Sequence, residues 1–205
     1  MTGVPGLLEP GRLRVDPAVL EGALRVIGLD LSIVSTGYGL PDGSTGRIKT
    51  RQRDGDRRLL VIEDTVAELV AEHRPDVAVL EDMPTKMQPT AVKAIGKVHG
   101  VVNAALLRAG VPYAYVSPAT LKKYATDNGN ASKEDMAAAA YLADGVEFPD
   151  DPKGDRCDGW WLRAAAHDAY GVPLFELPKA QRERLAVVSW PNLMPQRWVL
   201  GVGQC

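Results

Sequence analysis

Two apolar runs of five residues, VIGLD at 26–30 and VAVLE at 77–81, each end in a carboxylate. Short aliphatic runs of this kind read as buried strands. A carboxylate is expensive to hold ionised in such surroundings, so the acids at the ends of these runs need a purpose. The pattern around them shows what kind of sheet they belong to.

Residues 25–32, 36–40 and 46–50 read as three strands, the second and third joined by PDGSTG, a strong hairpin turn. Apolar residues then recur at helical spacing from Leu59 to Val70, and VAVLE supplies a fourth strand. A helix is expected from Thr90 to Ala109, stopping at Gly110, followed by a fifth strand in PYAYVS and a helix opened by Ser117 and Pro118 that runs to Tyr124. Ser132 with Asp135 resembles a capping box for a helix to Ala143. Residues 155–170 form a further helix ending at Gly171, and a shorter one follows Pro178. Hairpin strands run antiparallel, whereas strands joined through helices run parallel to the first. The expectation is an α/β chain with a mixed five-stranded sheet and helices on both faces. In such sheets sites form beyond the carboxyl ends of the parallel strands. Asp30 lies late in the first strand and Glu81 ends the fourth, so if those strands are neighbours the two acids meet.

A length of 205 residues suits one domain. Residues 1–24, with Pro5, Gly6, Pro10, Gly11 and Pro17, read as a partly mobile extension with one helical chance opening at Asp16. The domain proper is assigned to 25–171, and 172–205 to a C-terminal extension in which RLAVVSWPNLMPQRW either packs on the core or mediates assembly.

A third stretch, DRCDGWWLRAAAHDAYG, places Asp155 and Asp158 three residues apart on one face of a helix, and that face continues through Leu162 and Ala165 into the core. Each acid alone has a bland reading. Asp30 could bond to Ser32 or Thr36, and strand alternation lets only one of Glu81 and Asp82 face a site. Asp155 could cap its helix in competition with Asp151, and Asp158 could simply favour the helix dipole. Taken together, Asp30, Glu81, Asp155 and Asp158 would repel one another unless hard cations neutralised them. Oxygen-only ligands suit Mg²⁺ or Mn²⁺, and two such ions would clamp the attacking and leaving oxygens of an in-line phosphoryl displacement.

The formal net charge of −2 announces no global attraction to nucleic acid. GRIKTRQRDGDRRL nevertheless gathers Arg47, Lys49, Arg51, Arg53, Arg57 and Arg58 against only Asp54 and Asp56, and such a patch can neutralise phosphates. LKKYATDNGNASKEDM sets Lys122 and Lys123 before a Gly/Asn loop and Lys133 after it, at the start of a helix, an arrangement suited to a phosphate backbone. His73, His99 and His167 lack metal-pair spacing and read as structural. Trp160, Trp161, Trp190 and Trp198 read as packing residues. Cys157 and Cys205 form no metal-ligand spacing, and no structural disulfide is expected. No apolar run approaches membrane-spanning length and the amino terminus lacks the order of a signal peptide, so the expected compartment is the cytoplasm, with no membrane partner.

In this order the motifs resemble RuvC-type Holliday-junction resolvases, most of all the versions carried by bacteriophages, over about residues 25–170. IGLDLSIVSTGYG resembles the family's first-strand signature, with Asp30 as first metal ligand; VAVLED resembles its fourth-strand segment and selects Glu81; DRCDGWWLRAA resembles its closing acid pair, Asp155 and Asp158. AIGKVHGVVNAALLRAGVPYAYVSPATLKKYAT resembles the helix, strand and lysine-bearing helix between them, and Lys122 and Lys133 fall at the interval of two family lysines near the scissile phosphate. The resemblance implies an RNase H-like fold and a homodimer that nicks four-way DNA junctions in pairs. It also implies two Mg²⁺ ions per site, replaceable by Mn²⁺, held by Asp30, Glu81, Asp155 and Asp158. The chain departs from the pattern at Ser32, where many members have glycine, and in DMPTKMQP, where members often carry a junction-opening aromatic. The same acids would serve an RNase H-like nuclease for flaps, forks or structured RNA, or survive in a non-catalytic branched-DNA-binding protein. An actin-like ATPase would need a second Gly-rich phosphate-binding segment that the sequence lacks, so no nucleotide cofactor is expected.

Overall fold

The structure is a computed structural model that describes residues 24–84 and 87–193. The described strands are β1 (Val26–Asp30), β2 (Ser35–Gly39), β3 (Thr45–Lys49), β4 (Val77–Glu81) and β5 (Tyr113–Val116). The described α-helices are α1 (Arg57–His73), α2 (Pro89–Arg108), α3 (Pro118–Thr126), α4 (Lys133–Asp144), α5 (Asp155–Ala169) and the short α6 (Lys179–Arg182). The strands form one sheet in the order β3-β2-β1-β4-β5. β1 and β4 are parallel, as are β4 and β5, while the β1–β2 and β2–β3 pairs are antiparallel. The mixed five-stranded sheet expected from the sequence is therefore the one that forms.

Side chains alternate across the sheet. Ile27, Leu29, Ala78 and Leu80 enter a core closed by Ile62, Val66 and Val70 of α1 and Val98, Val102 and Leu106 of α2. Val26, Val77, Val79 and Val116 enter a second core on the other face with Leu121 and Tyr124 of α3, Met136 of α4, and Trp160, Trp161 and Leu162 of α5. Trp160 and Trp161 are packing residues, as their sequence context suggested, edge-on to each other with Phe175 stacked on Trp160.

α5 lies unusually close to β1 and β2 because both surfaces are built of glycine. A Cβ at Gly39 would stand 2.7 Å from the Gly159 carbonyl oxygen, and one at Gly37 would overlap the Asp155 carbonyl. The helix starts where Gly154 adopts φ +71° and Asp151 turns back, its Oδ2 accepting from the N–H groups of Arg156 (3.0 Å) and Cys157 (3.1 Å). That satisfies two of the orphan donors at the helix start. α4 begins at the expected capping box: Ser132 Oγ accepts from Asp135 N–H at 3.1 Å and Asp135 Oδ2 from Ser132 N–H at 2.9 Å.

Some details go beyond the sequence expectations. β1 stops at Asp30 rather than continuing through Leu31, because the Thr36 hydroxyl closes the β1–β2 turn, donating to Ser32 O at 2.7 Å and accepting from Ser32 N–H at 3.1 Å. Ser32 and Thr36 thereby bond to each other. Of the two courses open to the segment beyond 171, the described part takes the first, packing on the core: Leu185 and Leu193 are buried in the α5-side core with Phe175 and Trp190 against them. Two 3₁₀ turns, Gln52–Asp54 and Glu183–Val187, have no counterpart in the sequence reading. The helix expected at Asp16, together with Trp198 and Cys205, lies outside the described residues.

Candidate carboxylate active site

The parallel register aligns Leu29 with Leu80, so the next step along each strand sets Asp30 beside Glu81. Period-two alternation sends both toward the α5 face, opposite Leu29 and Leu80, and Asp82 to the other side. There Asp158 arrives from the first turn of α5, 3% exposed. Asp30, Glu81 and Asp158 act on one another directly. Burial first, then the charges of Glu81 and Asp158, hold the Asp30 carboxyl well above the usual carboxylate range. Burial and Asp158 raise Glu81 from 4.5 to about 7, with Lys133 and Lys122 restraining the rise. Asp30 and Glu81 lie close enough that each shifts the titration of the other, as expected of like charges brought together. Burial also raises Asp158, although the ammonium of Lys133 opposes it.

Lys133 is the first residue of α4, and its Nζ donates to Asp158 Oδ2. Its stem crosses Gly154, where a Cβ would meet Lys133 Cδ at 2.7 Å. Burial alone would lower its pKa, yet Asp158, Asp30 and Glu81 together hold it above the ordinary value. Lys122 of α3 is half-buried and its charge reaches both Glu81 and Asp158. Lys123, next to it, is exposed.

Asp155 is placed differently. It is buried, and its Oδ2 accepts from Ser35 Oγ at 2.5 Å, so it faces β2. Ser35 lies 120 residues away in sequence and no sequence signal pointed to it. Of the basic residues, Lys49, Arg51 and Arg53 are exposed, the two arginines paired with Asp54 at 3.2 and 4.0 Å. Arg47 instead turns inward, bonding to Asp150 O at 2.7 Å and pairing with Asp151 at 3.5 Å, so its guanidinium ties β3 to the loop before α5. β3 runs parallel to β1, so its end and the 3₁₀ turn after it lie at the same end of the sheet as the acids. His99 is buried and stacked on Tyr115, 5.6 Å between ring centroids. Cys157 is buried and free.

No group of three or more His, Cys, Asp or Glu side chains among the described residues is arranged to hold a metal ion as it stands. The donor chemistry nonetheless fits a hard divalent cation. Asp30, Glu81 and Asp158 offer only oxygens, the first two are held toward their protonated forms by burial and mutual repulsion, and the third is neutralised by an ammonium group. Ionisation of Asp30 and Glu81 and a swing of Lys133 would open the set to a cation. Among the described residues, no helix is long and apolar enough to cross a membrane.

Residues 16–150 match the family model for crossover junction endodeoxyribonuclease RuvC. The match takes in Asp30, Glu81, Lys122 and Lys133 and ends before Asp155 and Asp158, of which the fold brings Asp158 to the acids. A protein so described from Paenarthrobacter aurescens (strain TC1) is 33% identical over 121 residues, 54% of this chain and 64% of that protein. Another, from Burkholderia mallei (strain NCTC 10247), is 32% identical over 121 residues, 55% of this chain and 67% of that protein. The chain thus spans about two thirds of the length of these bacterial relatives. T. thermophilus RuvC, solved in complex with Holliday junction substrate, superposes with a TM-score of 0.62 at 22% identity, covering 73% of this chain and 98% of that one. At that identity the likeness shows the fold, which is RNase H-like.

Proposed function

This chain belongs to the crossover junction endodeoxyribonuclease RuvC family, and on that premise we propose that it is a metal-dependent endonuclease resolving four-way DNA (Holliday) junctions by paired symmetric nicking. The observation that carries the reading is the convergence of Asp30, Glu81 and Asp158 from β1, β4 and α5 on one buried point flanked by Lys133 and Lys122. Asp30, Glu81, Asp158 and, one turn earlier, Asp155 would hold two Mg²⁺ ions, or Mn²⁺ in their place, whose bound form activates the attacking water and stabilises the leaving 3′ oxygen.

The chain's own groups supply the rest. Glu81 holds its proton up to about pH 7, so in the metal-free site it becomes a carboxylate only near neutral pH. Lys133 retains its charge, and once drawn from Asp158 its ammonium is placed to neutralise the charge developing on the scissile phosphate. Lys122, whose charge reaches Glu81 and Asp158, would with Lys123 fix the strand that carries that phosphate. Lys49, Arg51 and Arg53 would bind the phosphates of a duplex arm leaving the same end of the sheet. Arg47 contributes through the loop that starts α5 rather than through DNA. A homodimer would present two such sites and cut two strands of like polarity, leaving ligatable nicks for DNA recombination and repair in the cytoplasm.

The test is cleavage of a labelled synthetic four-way junction beside linear duplex, flap and fork controls, with Mg²⁺ and with chelator, using wild type, Asp30→Asn and Glu81→Gln. Symmetric nicks in the junction, dependent on Mg²⁺ and lost in both variants, are expected. Cutting of flaps or forks with the junction intact would keep the site and overturn the substrate. Junction binding with no cutting of any substrate would leave a binding protein, the reading that the absence of an aromatic residue at Asp82, Met83 and Pro84 after β4 would then favour.

A further inference from the structure

We propose that residues 178–193 act as a strap that holds α3 against α5 and so sets where Lys122 stands over the carboxylates, with Gln181 and Arg182 as positioning residues; the catalytic part of this rests on the function proposed above. α3 is nine residues long and carries Lys122, whose charge reaches Glu81 and Asp158. The strap grips it immediately beyond that lysine. Gln181, buried, donates from Nε2 to Tyr124 O at 3.1 Å. Arg182 Nε donates to Asp168 Oδ1 at 2.7 Å, and Asp168 Oδ2 accepts from the Tyr124 hydroxyl at 3.3 Å. Asp168, near the end of α5, is thus held through one oxygen by the strap and through the other by α3. Arg184 pairs at 2.8 Å with Asp127, the left-handed residue that ends α3 and leads into the loop toward Lys133.

The strap is itself anchored: Leu185 is buried, Trp190 Nε1 donates to Leu185 O at 3.2 Å, and Tyr170 Oη donates to Pro191 O at 2.7 Å. All of it lies beyond the 16–150 range that matches the family model. The apolar face of α3, Leu121, Tyr124 and Ala125, fixes how deep the helix sits. Apolar contact is non-directional, whereas hydrogen bonds constrain angle as well as distance. The three polar links within residues 124–127 therefore fix how α3 is slid and turned along its axis, and with that the direction of Lys122.

Arg182→Ala, Arg182→Lys and Lys179→Ala separate positioning from simple stabilisation. The Arg182 side chain is 42% exposed, so truncating it opens no core. Lys179 pairs at 3.6 Å with Glu183, the exposed first residue of the 3₁₀ turn that follows α6, and serves as control. Single-turnover cleavage at saturating junction should fall about tenfold in Arg182→Ala, with junction Kd within about twofold, as expected when a charged group is misplaced rather than lost. Arg182→Lys, which can still reach Asp168, should recover most of the rate, and Lys179→Ala should leave it unchanged. Hydrogen exchange across residues 118–132 should quicken in Arg182→Ala alone. An unchanged rate in Arg182→Ala, or a loss that lysine does not restore and that follows Tm, would overturn the proposal. If the wild type cuts no branched DNA, the proposed function fails separately, and exchange decides: quickening confined to 118–132 upholds the strap, and unchanged exchange overturns it.

Discussion

Replacing Glu81 with glutamine should stabilise the metal-free protein at pH 8 and leave it unchanged at pH 4. The Glu81 carboxyl is pushed from 4.5 to about 7, first by burial and then by Asp158. In the unfolded chain it titrates near 4.5, so the folded state holds this proton more tightly. Below pH 4.5 both states are protonated and the group costs nothing. As pH rises from 4.5 to 7 the unfolded chain ionises while the folded one does not, and stability falls; above about 7 the whole cost is in place. At about 1.4 kcal/mol per pH unit, that window amounts to about 3 kcal/mol. Glutamine is close to isosteric and remains polar, so the change removes the charge and little else. Unfolding of both proteins would be followed by circular dichroism in excess chelator from pH 4 to 8. For a chain of this size the difference corresponds to roughly 6–12 °C in Tm at pH 8, shrinking to nothing by pH 4. Mg²⁺ at pH 8 should then reverse the order, since a ligand that binds only the folded state stabilises it by mass action and the variant offers one carboxylate fewer. A variant less stable than wild type at pH 8 in chelator, or an advantage that does not change with pH, would refute the reasoning.

Three further outcomes are expected. Asp158→Asn should slow junction cleavage at least about a hundredfold, since even outer-shell partners of a metal are worth about 10–100-fold, while gel-shift affinity in chelator stays within a few fold. Gly37→Ala should destabilise the protein by about 3 kcal/mol or more in urea unfolding, because the new methyl overlaps the Asp155 carbonyl of a helix that has no room to retreat. Asp151→Ala should cost about 1–2 kcal/mol in the same assay by uncapping α5, whose Arg156 and Cys157 N–H groups it satisfies, and by releasing Arg47.

Much of the fold was legible because the interactions that set it are local. VAVLE is the strand Val77–Glu81 as read, Ser117 and Pro118 open α3, and the Ser132–Asp135 box starts α4. Helix periodicity, caps and turn residues act over a few residues, so they survive in the linear pattern. Even the meeting of Asp30 and Glu81 was accessible, since it needs only two parallel strands side by side and a period of two. The tertiary structure alone decided the rest. Asp155 and Asp158 stand three apart, about 60° around a helix, and their pattern does not say how the helix is turned. Glycines at 28, 37, 39 and 159 let α5 settle on β1 and β2 so that Asp158 faces the acids and Asp155 faces Ser35. Arg47, part of a basic run in sequence, is captured by a loop 103 residues away, and Lys133 by an aspartate 25 residues on. The chain beyond Gly171 is drawn into the core by Leu185 and Leu193. The sequence by itself determined the strands and α-helices and that two acids would share one end of the sheet. Which remaining side chains joined them depended on helix rotation and long-range contact, which no local pattern encodes.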